Sequence, residues 1–255
     1  MKPRSLFLLG AVALLLSLAP VASATTIGPD AFGYTATNEI PFSFTDISGT
    51  GTKLFGTGAN NVAASALLGF GFDFYGSNYL HVFVSVNGLL TFGSANASYQ
   101  NQALDDSPSQ AAIAPMWDDW IAPLGGGVYY ETAGAPGSRT FTVQWDDVRH
   151  GFNPNTCCGT FQAVLFEGSN DIEFRYADVN FNINGFSFGK NATVGISGGS
   201  ATPNQLQWSH NASALSNGEA IRFSTGEPIP EPSTLLLLGS GLLAASARRL
   251  RSRRK

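Results

Sequence analysis

Three acidic pairs, Asp105-Asp106, Asp118-Asp119 and Asp146-Asp147, are the residues of this sequence whose type and spacing come nearest to chemistry. Neighbours in a strand point to opposite faces, so an adjacent pair is not by itself a catalytic dyad. A glycosidase needs two carboxyls from separate strands, roughly 5–10 Å apart in a sugar-sized cleft. Asp118 with Asp146 is the pairing that would supply them, though nothing in the sequence requires it. Calcium asks only for hard oxygen ligands, and Asp118, Asp119, Asp146 and Asp147 are the candidates for it. No D-x-D-x-D-G loop accompanies them. The plainer reading is solvated strand ends and turns on an acidic domain, and no other cofactor is expected.

Gly195-Ile-Ser197-Gly-Gly199 has the form G-x-S-x-G. A nucleophile elbow leads from a strand into a helix, whereas Ser-Ala-Thr-Pro-Asn follows here, so the stretch reads as a glycine-rich turn. His81, His150 and His210 share no spacing that would make a base or a metal set, and no phosphate loop or H-E-x-x-H helix occurs. Catalytic residues are therefore not expected. Cys157 and Cys158 are adjacent and are the only cysteines. In an oxidising compartment they would form a vicinal disulfide, stay free or cross-link chains.

The elements that must carry these residues read as strands. Phe70, Phe72 and Phe74 alternate with Gly71 and Asp73; Leu80, Val82, Val84 and Val86 line one face of the next segment. Asn87-Gly88 then supplies a two-residue hairpin turn before Leu89. Phe141, Val143 and Trp145 alternate with polar residues, and Phe161–Phe166 and Ile172–Tyr176 flank a five-residue loop. Only Asn60 to Leu68 reads as a short helix. About ten strands without a βαβ rhythm predict an all-β fold, a single antiparallel β-sandwich over residues 25–226.

Charge separates the body from its ends. Of 14 basic residues, only six lie between Thr25 and Gly226, against 16 acidic ones, a net charge of −10. So acidic a domain offers no footprint for nucleic acid. The basic start with Lys2 and Arg4, the apolar run Leu6–Ala19 and Ala22-Ser-Ala24 predict a secretory signal peptide, residues 1–24, cut by signal peptidase after Ala24. Residues 227–255 read as Pro230-Glu231-Pro232, an apolar helix over 234–247, and a basic tail over 248–255 that includes Arg248, Arg249 and Arg251. That helix would be about 21 Å long, thin against a hydrocarbon core of about 30 Å. The arginines would stay on the cytoplasmic side. The expected course is export, a transient stop at the inner membrane, then the cell surface or extracellular matrix.

The order Pro-Glu-Pro, apolar helix, arginine-rich end resembles the PEP-CTERM sorting signal of Gram-negative bacteria. The resemblance implies processing by exosortase and association with extracellular polysaccharide or matrix. A second resemblance lies in the body. Gly69-Phe-Gly-Phe-Asp-Phe-Tyr-Gly76, Asn87-Gly88, Ile113-Ala-Pro-Met-Trp-Asp-Asp119, Phe141–Trp145, Phe161–Leu165, Ile172–Tyr176 and Val194-Gly-Ile196 follow in an order similar to that of nidogen-type extracellular (NIDO) domains, over about residues 67–197. That family implies an adhesive or matrix module with no catalytic residues to transfer. The alternatives are a carbohydrate-binding module for exopolysaccharide, with Trp120, Tyr129 or Trp208 as exposed platforms, and, further off, a secreted hydrolase.

Overall fold

The structure is a computed structural model of the chain, and it describes residues 25–152, 158–200 and 204–226. Fifteen strands run through these residues: β1 (Thr26–Ile27), β2 (Thr35–Thr37), β3 (Thr52–Phe55), β4 (Ala63–Phe74), β5 (Ser77–Ser85), β6 (Leu89–Thr91), β7 (Ala112–Trp117) and β8 (Trp120–Ile121). They continue as β9 (Gly127–Ala133), β10 (Thr140–His150), β11 (Gly159–Phe166), β12 (Ile172–Asp178), β13 (Thr193–Ser197), β14 (Gln205–His210) and β15 (Glu219–Ser224). The larger sheet has the order β1-β2-β15-β12-β11-β10-β9-β3, with β8 paired to the end of β10; the smaller has the order β14-β13-β7-β6-β5-β4. The paired strands are antiparallel, and the fold is the expected all-β sandwich.

Period-two alternation builds the core. In β4 every second residue from Ala66 to Phe74 is buried and those between are exposed. Val82, Val84 and Val86 join that inward face, whereas Leu80, expected with them, is 61% exposed near the start of β5. From the other sheet Phe141, Val143 and Trp145 of β10 meet them, backed by Phe161 and Phe174. Each fully buried side chain of this size contributes about 2–3 kcal/mol relative to exposure. The Trp145 ring lies flat on Phe161, 5.0 Å between centroids and 10° apart.

Two sequence expectations are corrected. Residues 60–68 are not a helix: β4 begins at Ala63, and Ala63–Leu67 pair with Ser85–His81 of β5. The alanines there are good helix formers, but cross-strand pairing and burial of Ala66 and Leu68 override local propensity. The β5–β6 hairpin exists, yet its turn is three residues, Val86-Asn87-Gly88, because Ser85 pairs with Leu89.

Buried polar heads tie the two layers together. The Trp145 indole N–H donates to the Ser85 carbonyl across the core at 3.0 Å, and the Tyr176 hydroxyl donates to the Pro115 carbonyl at 2.7 Å. The Trp120 indole N–H reaches the Met116 carbonyl at 2.8 Å. Pro115 and Met116 sit where the β7–β13 register shifts, between the Ala114–Gly195 and Trp117–Thr193 pairs. At this bulge two residues face one, and Pro115 has no N–H to leave unpaired.

The far edge of the smaller sheet, β4, is held from the larger one. Thr132 donates its hydroxyl to the Leu68 carbonyl at 3.0 Å, the Arg139 guanidinium donates to the Gly69 carbonyl, and the Asp73 N–H donates to Asn170 Oδ1 at 3.0 Å. Glu167 fixes that guanidinium with both carboxylate oxygens and also accepts the N–H groups of Gly137 and Arg139.

Two outcomes are expected. Gly88 has φ +71°, and a Cβ there would lie 2.0 Å from the Met116 carbonyl oxygen. Gly88→Ala should therefore cost on the order of 3 kcal/mol in chemical denaturation. Hydrogen bonds from Arg139 hold the Glu167 carboxyl down to about 2, against an ordinary value of 4.5. With the folded value depressed, the stabilisation is complete above about 4.5 and is lost as pH falls towards 2. Carboxyl ¹³C NMR should place the Glu167 midpoint near 2 and move it upward in Arg139→Ala, short of the ordinary value because the backbone N–H groups of residues 137 and 139 still donate to it.

Candidate functional site

The hairpin turn at Asn87 organises one end of the sandwich. Asn87 is fully buried, and its carbonyl accepts the Asp118 N–H at 3.1 Å while its Oδ1 accepts the Trp120 N–H at 3.0 Å. Its Nδ2 donates to Asn61 Oδ1 and to the Ala97 carbonyl. Asp118 and Asp119, the two residues between β7 and β8, are thereby fixed in place. Trp120 pairs with His150 at the end of β10, which brings that histidine against Asp118.

Asp118 is 1% exposed and His150 3% exposed, and Asp118 Oδ2 lies 3.1 Å from His150 Nε2. Asp118 Oδ1 accepts the Asp119 N–H at 2.9 Å and the Asn191 side-chain amide at 3.3 Å. Nδ1 of His150 accepts the Phe152 N–H at 3.1 Å. A ring nitrogen that accepts carries no proton, so the neutral imidazole holds its proton on Nε2, towards the aspartate. The ring is wedged between Trp120 and Phe186, at 5.6 and 4.2 Å between centroids.

Asp119 points to the rim. Its carbonyl accepts the Gly151 N–H at 2.8 Å, and its carboxylate lies so close over Gly151 that a Cβ there would fall 2.1 Å from Oδ2. Burial pushes its carboxyl above the usual range, His150 pulls it back and Asp118 raises it further. These residues open onto a cleft of about 520 Å³ whose other walls include Tyr99, Asn101, Phe152 and Phe186. Phe152 is 73% exposed and stacks on Phe186 at 5.0 Å.

The remaining sequence candidates lie apart from this cleft. Asp146 accepts a hydrogen bond from Gln144 at 3.1 Å, and burial raises its carboxyl. Asp147, φ +50°, sits in the β10 bulge and donates its N–H to Thr160. Neither lines the cleft that Asp118 lines. Among the described residues no three acidic, histidine or cysteine side chains gather to hold a metal ion. Ser197 ends β13 buried, accepts the Gly199 N–H, and is followed by a turn. Asp105 and Asp106 are exposed in a turn. Cys158 is disulfide-bonded; Cys157, Ala24, Pro230, Glu231, Pro232, Arg248, Arg249, Arg251 and the apolar 234–247 segment lie outside the described residues. No helix among the described residues is long and apolar enough to cross a membrane.

The aromatic platforms expected on the surface are corrected too. Trp120 is fully buried on Phe161 and Phe181, and Tyr129 is 6% exposed with the Lys53 ammonium 5.1 Å over its ring; Trp208 is half-buried. Exposed rings belong instead to Phe32, Phe42, Tyr99 and Phe152. Sequence reasoning missed His150, Phe152, Tyr99 and Asn191 as neighbours of Asp118.

Because Asp119 carries a raised carboxyl in the fold, its ionised form opposes folding at neutral pH and the effect disappears below the ordinary carboxylate range. Asp119→Asn should raise the melting temperature at pH 7 and leave it unchanged at pH 3, as read by calorimetry at both values.

Comparison with known proteins agrees with this architecture. The family model described as NIDO related matches residues 33–231, beyond both ends of the stretch that the sequence motifs cover. The PEP-CTERM protein-sorting motif matches residues 228–254. Alpha-tectorin of Gallus gallus is 26% identical over 151 residues, 50% of this chain and 7% of the tectorin. The alpha-tectorins of Mus musculus and Homo sapiens are 26% identical over 149 residues, 49% of this chain and 7% of theirs. This chain thus spans about 7% of the length of those relatives. No solved structure matches it. With a family match over most of its length on a two-sheet antiparallel sandwich, the chain belongs to the NIDO-related family.

Proposed function

We propose that this protein is a structural or adhesive component of the cell surface or extracellular matrix and performs no catalysis. The PEP-CTERM motif implies an exported protein processed by exosortase. The observation that carries the functional reading is the junction of the two matches: the NIDO-related body runs to residue 231 and the sorting motif begins at 228. Body and sorting tail are thus one continuous unit, with no further module between them. Family membership supports the extracellular role, and the likeness to alpha-tectorin over half of the chain is in keeping with it.

In this reading Pro230-Glu-Pro232 is what the processing enzyme engages, since proline disfavours helix at its own position and at the residue before it. An extended backbone without internal hydrogen bonds is open to a processing enzyme. The apolar 234–247 stretch holds it at the inner membrane for that step, with the arginines retained inside. Extracellular polysaccharide or matrix protein is the partner once the chain is released.

The test is cell fractionation with intact-mass measurement, in cells with and without exosortase. The mature chain should lack Arg248–Lys255 in normal cells, and replacing Pro230-Glu-Pro232 by three alanines should leave it uncleaved at the inner membrane. Retention of the arginines in normal cells would make the tail a permanent anchor. Hydrolase turnover that disappears in Asp118→Ala or Ser197→Ala would overturn the non-catalytic part.

A further inference from the structure

We infer that the cleft beside Asp118, Asp119 and His150 binds an uncharged hexopyranose unit, stacking it on Phe152 and taking its hydroxyls on the Asp119 carboxylate and the amides of the walls. The inference rests on the adhesive reading above and gives it a ligand class and a place.

The first observation is an exposed aromatic with a fixed pose. Phe152 is 73% exposed, yet its ring is held by Phe186, which in turn packs on the buried His150 ring. Tyr99, 44% exposed, stands on the same cleft. A ring this exposed keeps apolar surface in water, and covering it with another apolar face is favourable. A pyranose has one face of C–H bonds that does so and a rim of hydroxyls that asks for acceptors. At about 520 Å³ the cleft is within the range of roughly 300–1,000 Å³ typical of small-ligand sites.

The second observation is a carboxylate at the rim, backed by a buried one that is already engaged. Asp118 is shielded from water and engaged by His150 Nε2 at 3.1 Å, by the Asp119 N–H and by the Asn191 amide, whereas the Asp119 carboxylate is half-buried on the cleft. A hydroxyl entering the cleft would donate to the Asp119 carboxylate at its rim, a charge-assisted bond of the stronger kind.

The third observation sets specificity. Among the described residues that line the cleft there is no lysine or arginine; the charges are those of Asp118 and Asp119, and the rest are amides and aromatic rings. Uronates, phosphates and sulfated sugars meet like charge there and are rejected, while neutral hexoses are not. Asp119 also links binding to stability, since the same carboxylate that would accept a hydroxyl is partly desolvated. Sites of this kind trade stability for function.

The exported protein is examined by saturation-transfer NMR with cellobiose, lactose and N,N′-diacetylchitobiose as probes and digalacturonate as the charged control. At least one neutral disaccharide should receive saturation, most strongly on the C–H protons of one ring face, and digalacturonate should receive none. Phe152→Ala, an exposed position, should lower affinity at least tenfold, as should Asp119→Asn, while Phe42→Ala, an exposed ring elsewhere, should leave it unchanged. Binding of none of the three neutral probes, binding of digalacturonate in their place, or binding undiminished in Phe152→Ala would overturn the inference. Each of those outcomes with normal surface display and cell attachment leaves the adhesive reading intact, whereas loss of surface display in the wild type sinks that reading first.

Discussion

The two sheets are bound to one arrangement by the need of three buried aromatic heads for acceptors. A tryptophan or tyrosine brings a large apolar body into the core together with one N–H or O–H that must find a partner there. Regular ladders offer none, since their carbonyls are already engaged within the sheet. The sequence meets the demand by breaking the ladder at Pro115-Met116, where the bulge turns two carbonyls towards Tyr176 and Trp120, and by ending β5 at Ser85, whose carbonyl takes the Trp145 indole. The larger sheet supplies the donors and the smaller one the acceptors. Sliding either sheet by one residue would strand all three groups in an apolar layer, so polar satisfaction, more than packing, sets the register between layers.

The same bulge leads into the cleft. Directly after Trp117 the chain leaves the smaller sheet, places Asp118 and Asp119 under the Asn87 turn, and enters the larger sheet at Trp120. The crossing is only two residues long and runs between two fully buried tryptophans. That shortness leaves the aspartates no freedom, and it presses Asp118 against His150 in a place that water does not reach. The site is thus a by-product of how the layers are joined, which places it on the crossing between the two sheets.

Much of this architecture was legible in the residues. The alternating phenylalanines of β4 and the Phe141-Val143-Trp145 face announce strands, because a half-buried strand admits little else. Asn87-Gly88 announces a hairpin, but not that the turn takes in Val86, since that depends on the pairing of Ser85 with Leu89. Ala63–Leu68 misleads because alanine favours helix in isolation and only the partner strand decides otherwise. The cleft was half legible: Asp118-Asp119 stood out as a pair, whereas Tyr99, His150, Phe152 and Asn191 come from three other segments whose meeting depends on long-range topology. Trp120 and Tyr129 looked like surface platforms because composition does not tell a buried indole from an exposed one.

The restrained β4 edge bears on how the molecule behaves in a crowd. At twelve residues it is the longest strand, it lies at the end of its sheet, and it would otherwise present a row of free N–H and C=O groups to any passing chain. Thr132, Arg139 and Asn170 occupy part of that row from within the same molecule. Strand addition from a second copy would first have to evict them and the Glu167 carboxylate behind. The chain is in this way steered from fibrillar stacking along this edge, and contacts made there are left to side chains rather than to the backbone.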